Sequence, residues 1–290
     1  MSDKSPLLLR SALFVPGDKP RAVEKAPGLG ADALMLDLED AVAPEAKPGA
    51  RAAAPEAIAA FKAGGAYAVL RIAEPGSSEL QADIKTAAAA QPDAVLVAKV
   101  EAPEALEAVR AGLDMEGWSG PLWAMIETPR AVLALDRFAG AAAGLQLTAL
   151  VAGTNDLAEQ LRLPEGPGRR PALSPHLARL VLTARAGGMA ALDGVYNAYR
   201  DADGFAEEAA QGRWMGFDGK TLIHPSQVAP ANAAYGPTEA ERRWASRVLA
   251  AFEDPANAGK GAVPLDGRMV EAMHLKAARA VLAAAHAQKE

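Results

Sequence analysis

The sequence predicts a closed (β/α)8 barrel, the TIM-barrel class of α/β fold, with a C-terminal helical extension. Three observations carry this expectation. Eight short runs rich in Val, Ile, Leu and aromatic residues recur along the 290 residues, and longer alanine-rich, charge-studded segments separate them. Most of the runs are apolar throughout rather than alternating, the pattern of parallel strands covered on both faces. Eight strand–helix repeats in a chain of this length close into a barrel more readily than they lie as an open doubly wound sheet, the competing arrangement.

The strand-like runs are Ala12–Val15, Ala33–Leu38, Ala66–Ile72, Ala94–Val97, Leu122–Ile126, Leu147–Val151, Ala190–Val195 and Thr221–Ile223. The eighth is the weakest, because Phe217–Gly219 breaks its run. Helical patterns cover Ser78–Ala90, Glu104–Asp114, Arg130–Ala141 and His176–Ala186. Thr128–Pro129 and Ser174–Pro175 read as helix starts, each a capping hydroxyl followed by proline in the first turn. Residues 163–175 (LPEGPGRRPALSP) read as a loop after the sixth strand. A long helix at about Thr238–Glu253 follows the eighth, then a Gly-bearing linker, Asp254–Gly261, and a final helical segment from about Arg268 to Lys289. The expected domains are therefore a barrel over residues 1–253 and a linker with a helical segment over 254–290, surplus to the barrel.

Composition narrows the function. Half of the residues are hydrophobic, enough for a large core. The absence of cysteine excludes disulfide frameworks, thiolate zinc sites and cysteine nucleophiles, and suits a reducing cytoplasm. Arg10 interrupts the first apolar runs, which makes a poor signal peptide, and no stretch reaches the roughly 20 apolar residues of a membrane span. A net charge of −6 argues against a nucleic-acid partner.

In such barrels the chemistry sits at the C-terminal ends of the strands. Those ends read Asp18, the Asp37–Asp40 cluster, Arg71, Lys99, Glu127, Asp156, Asp193 and His224, a ring expected to converge on one mouth. Glu127 and Asp156 follow neighbouring apolar strands, and two carboxylates with water are the usual protein share of a Mg2+ site. No histidine or cysteine nearby favours zinc. The alternative is that each acid pairs with Arg71 or Lys99 and closes the barrel end. A glycosidase acid/base pair needs similar spacing, but four Trp and four Tyr offer few sugar-stacking platforms. Arg71 carries a planar fork suited to a carboxylate or acyl oxygen; its alternative is an ion pair with Glu39 or Asp40. Lys99 reads as structural. Of Asp37, Glu39 and Asp40, one is expected at the metal's water shell and the others on bases.

Two motifs mislead. Residues 28–33 fit G-x-G-x-x-A but precede a strand, and Gly219-Lys220-Thr221 lacks the first P-loop glycine, position 214 being Trp. No G-x-S-x-G elbow supports a serine hydrolase. His224 stands at a strand end, whereas His176, His274 and His286 read as surface or helix-packing residues.

In order along residues 10–275, the segments RSALFVPGDKPRAVEKA, GADALMLDLEDAV, VLRI, VLVAKVE, AMIETPRAVL, GTNDLA, ALDGVY and GFDGKTLIHPSQV together resemble the citrate lyase β-subunit-like family of CoA-ester lyases, related to malyl-CoA lyase. The resemblance implies a Mg2+-dependent barrel in a homo-oligomer, a trimer or an assembly of trimers. It implies Glu127 and Asp156 as metal ligands, with Glu127 and His224 also at the substrate. Arg71 would contact acyl or keto-acid oxygens, and Arg21 and Lys25 would contact CoA or substrate. In relatives the C-terminal segment closes over a neighbouring subunit's site and brings an aspartate as general acid/base. Here Glu271 stands in that place, one methylene longer, and Asn155 stands where glutamate commonly precedes the second ligand. The implied reaction is reversible carbon–carbon cleavage of a 3-hydroxyacyl-CoA such as malyl-CoA or citryl-CoA. The alternatives are a malyl-CoA-type thioesterase on the same metal site and a β subunit of a citrate lyase complex.

Overall fold

The structure, a computed structural model, describes residues 7–287. Eight parallel strands close into a barrel in sequence order, β8 pairing back onto β1. They are β1 (Ser11–Pro16), β2 (Ala33–Asp37), β3 (Tyr67–Ile72) and β4 (Ala94–Val97). β5 (Leu122–Ile126), β6 (Leu147–Ala152), β7 (Ala190–Asp193) and β8 (Gly219–Leu222) complete it. The expected fold class is met.

The helices between them are α1 (Pro20–Lys25), α2 (Lys47–Ala63), α3 (Leu80–Ala90), α4 (Pro103–Met115), α5 (Pro129–Leu133) and α6 (Leu135–Leu145). Then come α7 (Thr154–Gln160), α8 (Arg169–Ala186), α9 (Ala202–Met215) and α10 (Val228–Tyr235). No described helix is long and apolar enough to cross a membrane.

Two helix expectations need correction. The predicted Arg130–Ala141 helix is two, α5 and α6, broken at Ala134. Thr128 does cap the first, accepting from Ala131 N at 3.0 Å. Ser174–Pro175, by contrast, lies inside α8, which begins at Arg169 within the expected loop. The buried stripe Leu173, Leu177, Leu180, Ala184 runs through the proline at helical spacing, so packing outweighs the lost backbone hydrogen bond.

The strands alternate across the barrel wall with period two. One face places Ala33, Met35, Val69, Leu96, Trp123, Met125, Ala149 and Val151 in a single buried cluster, with Phe14, Tyr67 and Ala190 against it. Tyr67 stacks on Trp123 at 5.8 Å near the strand starts. Continued by two residues, the same alternation brings Asp37, Arg71 and Glu127 to the opposite end.

Contacts within the chain gather into two compact units, Leu9–Ala234 and a second that runs from Tyr235 onward. The second holds α11 (Glu239–Glu253), β9 (Ala262–Leu265), β10 (Arg268–Glu271) and α12 (Ala272–Ala287). Its core joins Ala245, Val248, Val263, Val270 and Ala278. The predicted final helix from Arg268 therefore starts later. Residues 268–271 are instead the return strand of a hairpin whose two-residue turn, Asp266-Gly267, has positive φ at both positions (52° and 73°).

Candidate metal and substrate site

The site grows from the top of the barrel interior. Asp37 and Arg71 end adjacent strands in direct register. Arg71 donates through Nε and Nη2 to the two Asp37 oxygens at 2.7 and 2.5 Å, a bidentate pair buried on both sides. Its Nη1 lies 3.2 Å from Glu39 Oε2, and the guanidinium sits 4.8 Å over the Phe14 ring. Asp37 also accepts from the backbone N–H groups of Glu39 and Ala41. The acid cluster thus orients Arg71, and Asp37 itself is spent on it.

Lys99 has left-handed backbone (φ 48°), which turns its N–H onto Glu127 Oε1 at 2.6 Å. Its ammonium meets Glu39 and Asp40 at 2.5 and 2.9 Å, the structural role expected of it. Glu127 is 1% exposed, and its second oxygen, Oε2, is buried without a hydrogen-bond partner. Burial first, and then the Asp156 charge, push its carboxyl up to about 8. Asp156 lies half-buried in the first turn of α7, where the helix dipole favours an acid.

A carboxylate that burial and the neighbouring Asp156 charge make costly to ionise, and that keeps an orphaned buried oxygen, suits a divalent cation. Among the described residues no group of three or more His, Cys, Asp or Glu side chains could hold a metal. The donor set therefore fits a hard ion that keeps several waters, as Mg2+ does, better than one needing a full protein cage.

Gly153 makes the arrangement possible. A Cβ there would stand 2.5 Å from Glu127 Oε2. Gly153→Ala is expected to displace the Glu127 carboxylate and weaken Mg2+ binding by about 10- to 100-fold with the fold intact. Calorimetric titration with Mg2+ checks this, and an unchanged affinity would refute it.

The other expected site residues distribute unevenly. Arg21 and Lys25 are exposed on α1, just past the end of β1. His224 caps the turn after β8, its Nδ1 accepting from Ser226 N, and its ring stacks on Tyr199 at 4.4 Å. Glu271 is exposed on β10 in the second unit, its N–H donating to His274 Nδ1. Asp193 does not join the mouth. It points out of the barrel wall to Arg170 on α8, which grips both of its oxygens at 2.8 Å, and to buried Lys220 at 3.3 Å. Strand parity explains the correction: Ala190 and Leu192 pack against the interior cluster, so Asp193 faces the helices.

Sequence reasoning missed the reciprocal amide pair of Asn155 and Asn197 (2.8 and 3.3 Å), which ties the Asp156 turn to the segment after β7. Beside it opens a cavity of about 450 Å3, lined by Thr154, Asn155, Arg169, Arg170, Tyr196 and Asn197 among others, a size ordinary for small-molecule sites.

Residues 10–225 match the model of the HpcH/HpaI aldolase/citrate lyase family. The chain belongs to this family. An HpcH/HpaI relative, the (3S)-malyl-CoA thioesterase of Cereibacter sphaeroides, is 44% identical over 96% of this chain and 95% of its own. The mitochondrial citramalyl-CoA lyase of Rattus norvegicus is 31% identical over 97% of this chain and 87% of its own. Among solved members of the fold, CitE from Mycobacterium tuberculosis, in complex with magnesium, acetoacetate and coenzyme A, is similar with a TM-score of 0.76. It is 29% identical, over 95% of this chain and 97% of that one. The HpcH/HpaI chain described here is accordingly an enzyme, and the resemblance read from its motifs holds.

Proposed function

We propose that this enzyme is Mg2+-dependent and acts on a short 3-hydroxyacyl-CoA with a free carboxylate, of the malyl-CoA type, hydrolysing its thioester. The buried, unpartnered Glu127 oxygen beside Asp156 carries the metal part of this reading. The identity of 44% along nearly the whole length of a malyl-CoA thioesterase supports the substrate and favours hydrolysis. Glu127 and Asp156 would hold the ion. When bound, Mg2+ supplies Lewis-acid stabilisation of charge developing on the acyl group's oxygens.

The remaining work falls to the chain's own side chains. Arg71, locked by Asp37, adds a fixed positive charge beside Glu127 that needs no reorganisation during reaction. Hydrolysis forms a C–O bond from water and breaks the thioester C–S bond. Glu271, the group in the place of the relatives' acid/base, would take the water's proton and give it to the departing sulfur, so that CoA leaves as the thiol. The reach needed is supplied from a neighbouring subunit in this reading, which makes the active form a homo-oligomer such as a trimer. His224 and the exposed bases Arg21 and Lys25 would bind substrate or CoA. A cytoplasmic location accords with the absence of cysteine.

Carbon–carbon cleavage is the second reading, favoured by the 31% identity to citramalyl-CoA lyase. There Glu271 would protonate the carbon of the departing enolate. Incubation of the isolated chain with (3S)-malyl-CoA and Mg2+ separates the two. Free CoA with intact malate is the expected result; glyoxylate with acetyl-CoA would establish the lyase instead. No turnover of this or related CoA esters would overturn both.

A further inference from the structure

We infer that the cavity of about 450 Å3 between α8 and the segment after β7 is a separate binding site for a small organic monocarboxylate. Arg169 is its anchor, and Glu165 is the internal carboxylate that the ligand replaces.

The cavity opens toward the helix layer rather than the barrel interior. Asp193 faces that layer, where Arg170 of α8 grips it and Glu208 of α9 shares the buried Lys220 with it. Arg170 and Glu208 both line the cavity, whereas none of Arg71, Glu127 and Asp156 does.

Charge around the cavity leaves one cation weakly held. Arg170 and Lys220 are matched by Asp193 and Glu208. Arg169 has Glu165 as its one carboxylate partner among the described residues, at 2.5 Å. The Glu165 side chain is 84% exposed and stands just before the turn Gly166-Pro167-Gly168. An exposed pair of this kind contributes only about 0–1 kcal/mol.

The grip is also incomplete. Glu165 takes Nη1 alone, while Nε of Arg169 is buried without a hydrogen-bond partner. Elsewhere in the chain a carboxylate takes the other edge of the fork, Nε with Nη2, as Asp32 does on Arg10 and Asp37 on Arg71. A carboxylate ligand bound by that edge satisfies the donor that Glu165 leaves orphaned, which costs about 1–3 kcal/mol unmade. Arg169 opens α8 and is fixed by the helix, so the loop acid is the partner that gives way.

Charge and lining together select the ligand class. Replacing one acid calls for one negative charge, and a second would stand against Glu208 on the same wall. Leu173, Val195 and Pro167 offer a carbon skeleton an apolar surface. The Asn155 and Asn197 amides, paired reciprocally, each keep a second N–H for the ligand's outer oxygen.

Calorimetric titration of the full chain with butyrate, succinate and inorganic phosphate, without Mg2+, tests the assignment. Butyrate is expected to bind most tightly. Glu165→Gln should tighten it about two- to fivefold by removing the competing acid. Arg169→Gln should weaken it about tenfold or more, with Arg169→Lys between that variant and the natural chain. Glu116→Gln removes an equal charge at the end of α4 and should leave the affinity unchanged. Butyrate affinity indifferent to both Glu165→Gln and Arg169→Gln, or weakened by the former, overturns the assignment. Tighter binding of succinate or phosphate overturns the monocarboxylate class, and no binding of butyrate at millimolar concentration overturns the site.

Discussion

Glu127→Gln is expected to remove Mg2+ uptake and to lower Mg2+-dependent turnover by about a thousandfold or more, since a bound ion supplies several kcal/mol of transition-state stabilisation. Asp156→Asn should do the same. The argument turns on what each oxygen of Glu127 touches. Oε1 receives one N–H, from Lys99, and a glutamine carbonyl can still accept it. Oε2 has no partner, so the amide forfeits no hydrogen bond there and loses only the negative charge an ion requires. Thermal stability without Mg2+ near pH 7 should therefore stay close to that of the natural chain, because the Glu127 carboxyl, pushed up to about 8, is already largely neutral there without the ion. A variant that unfolds early but still takes up Mg2+ would show the opposite, a residue that merely closes the barrel end. Calorimetry with Mg2+, a melting curve and an initial-rate assay on one preparation decide between them.

Asp193→Ala is expected to cost about 3–5 kcal/mol of stability, the penalty for breaking a buried ion pair from one side. In a unit of this size that lowers the melting temperature by on the order of 10 °C. Asp193 and Lys220 are both fully buried, and Arg170 closes the other side of the carboxylate. Glu208 and the Gly194 carbonyl also bond Lys220, but they leave it and Arg170 with a cation in excess once Asp193 is gone.

The pH dependence follows the same group. Burial alone would raise the Asp193 carboxyl, but the Lys220 and Arg170 charges and the Gly194 N–H outweigh it and hold it below its ordinary 3.8. A depressed folded value means the contribution is complete above the unfolded value and disappears as pH falls through the folded one. Urea midpoints from pH 7 down to about 3 should therefore show a steeper acid loss in the natural chain than in Asp193→Asn. Parallel acid limbs would count against the pairing.

Much of the barrel was legible because most of its strands are short apolar runs; the exception is β8, Gly219–Leu222, which carries Lys220 and starts two residues before the expected Thr221–Ile223. The top layer was legible too, since Asp37, Arg71 and Glu127 stand at strand ends. What failed were decisions that depend on a single residue of parity or on packing. Asp193 looks like Glu127 in sequence, yet the strand's alternation sends it outward. Ser174-Pro175 carries a strong local start signal, but the leucine stripe on both sides of it overrides the signal. The hairpin had a readable cue, the Asp266-Gly267 turn dipeptide between Leu265 and Arg268, that was lost in an expected helix. The orphaned oxygen of Glu127 had no sequence cue, because it depends on the absent Cβ of Gly153 and the φ of Lys99.

The stack of Tyr67 on Trp123 and the apolar cluster above it have a consequence for how the mouth feels its surroundings. They form a plug of low permittivity beneath Glu127, so solvent polarises against that carboxylate from one hemisphere only. Field lines from an ion at Glu127 and Asp156 spread through an unscreened floor, and dissolved salt has little leverage on that attraction. Arg21 and Lys25, bathed on α1, sit where the Debye length is about 8 Å at physiological ionic strength. One end of a bound ligand is thus held by electrostatics that the buffer tunes, and the other by electrostatics that it barely reaches.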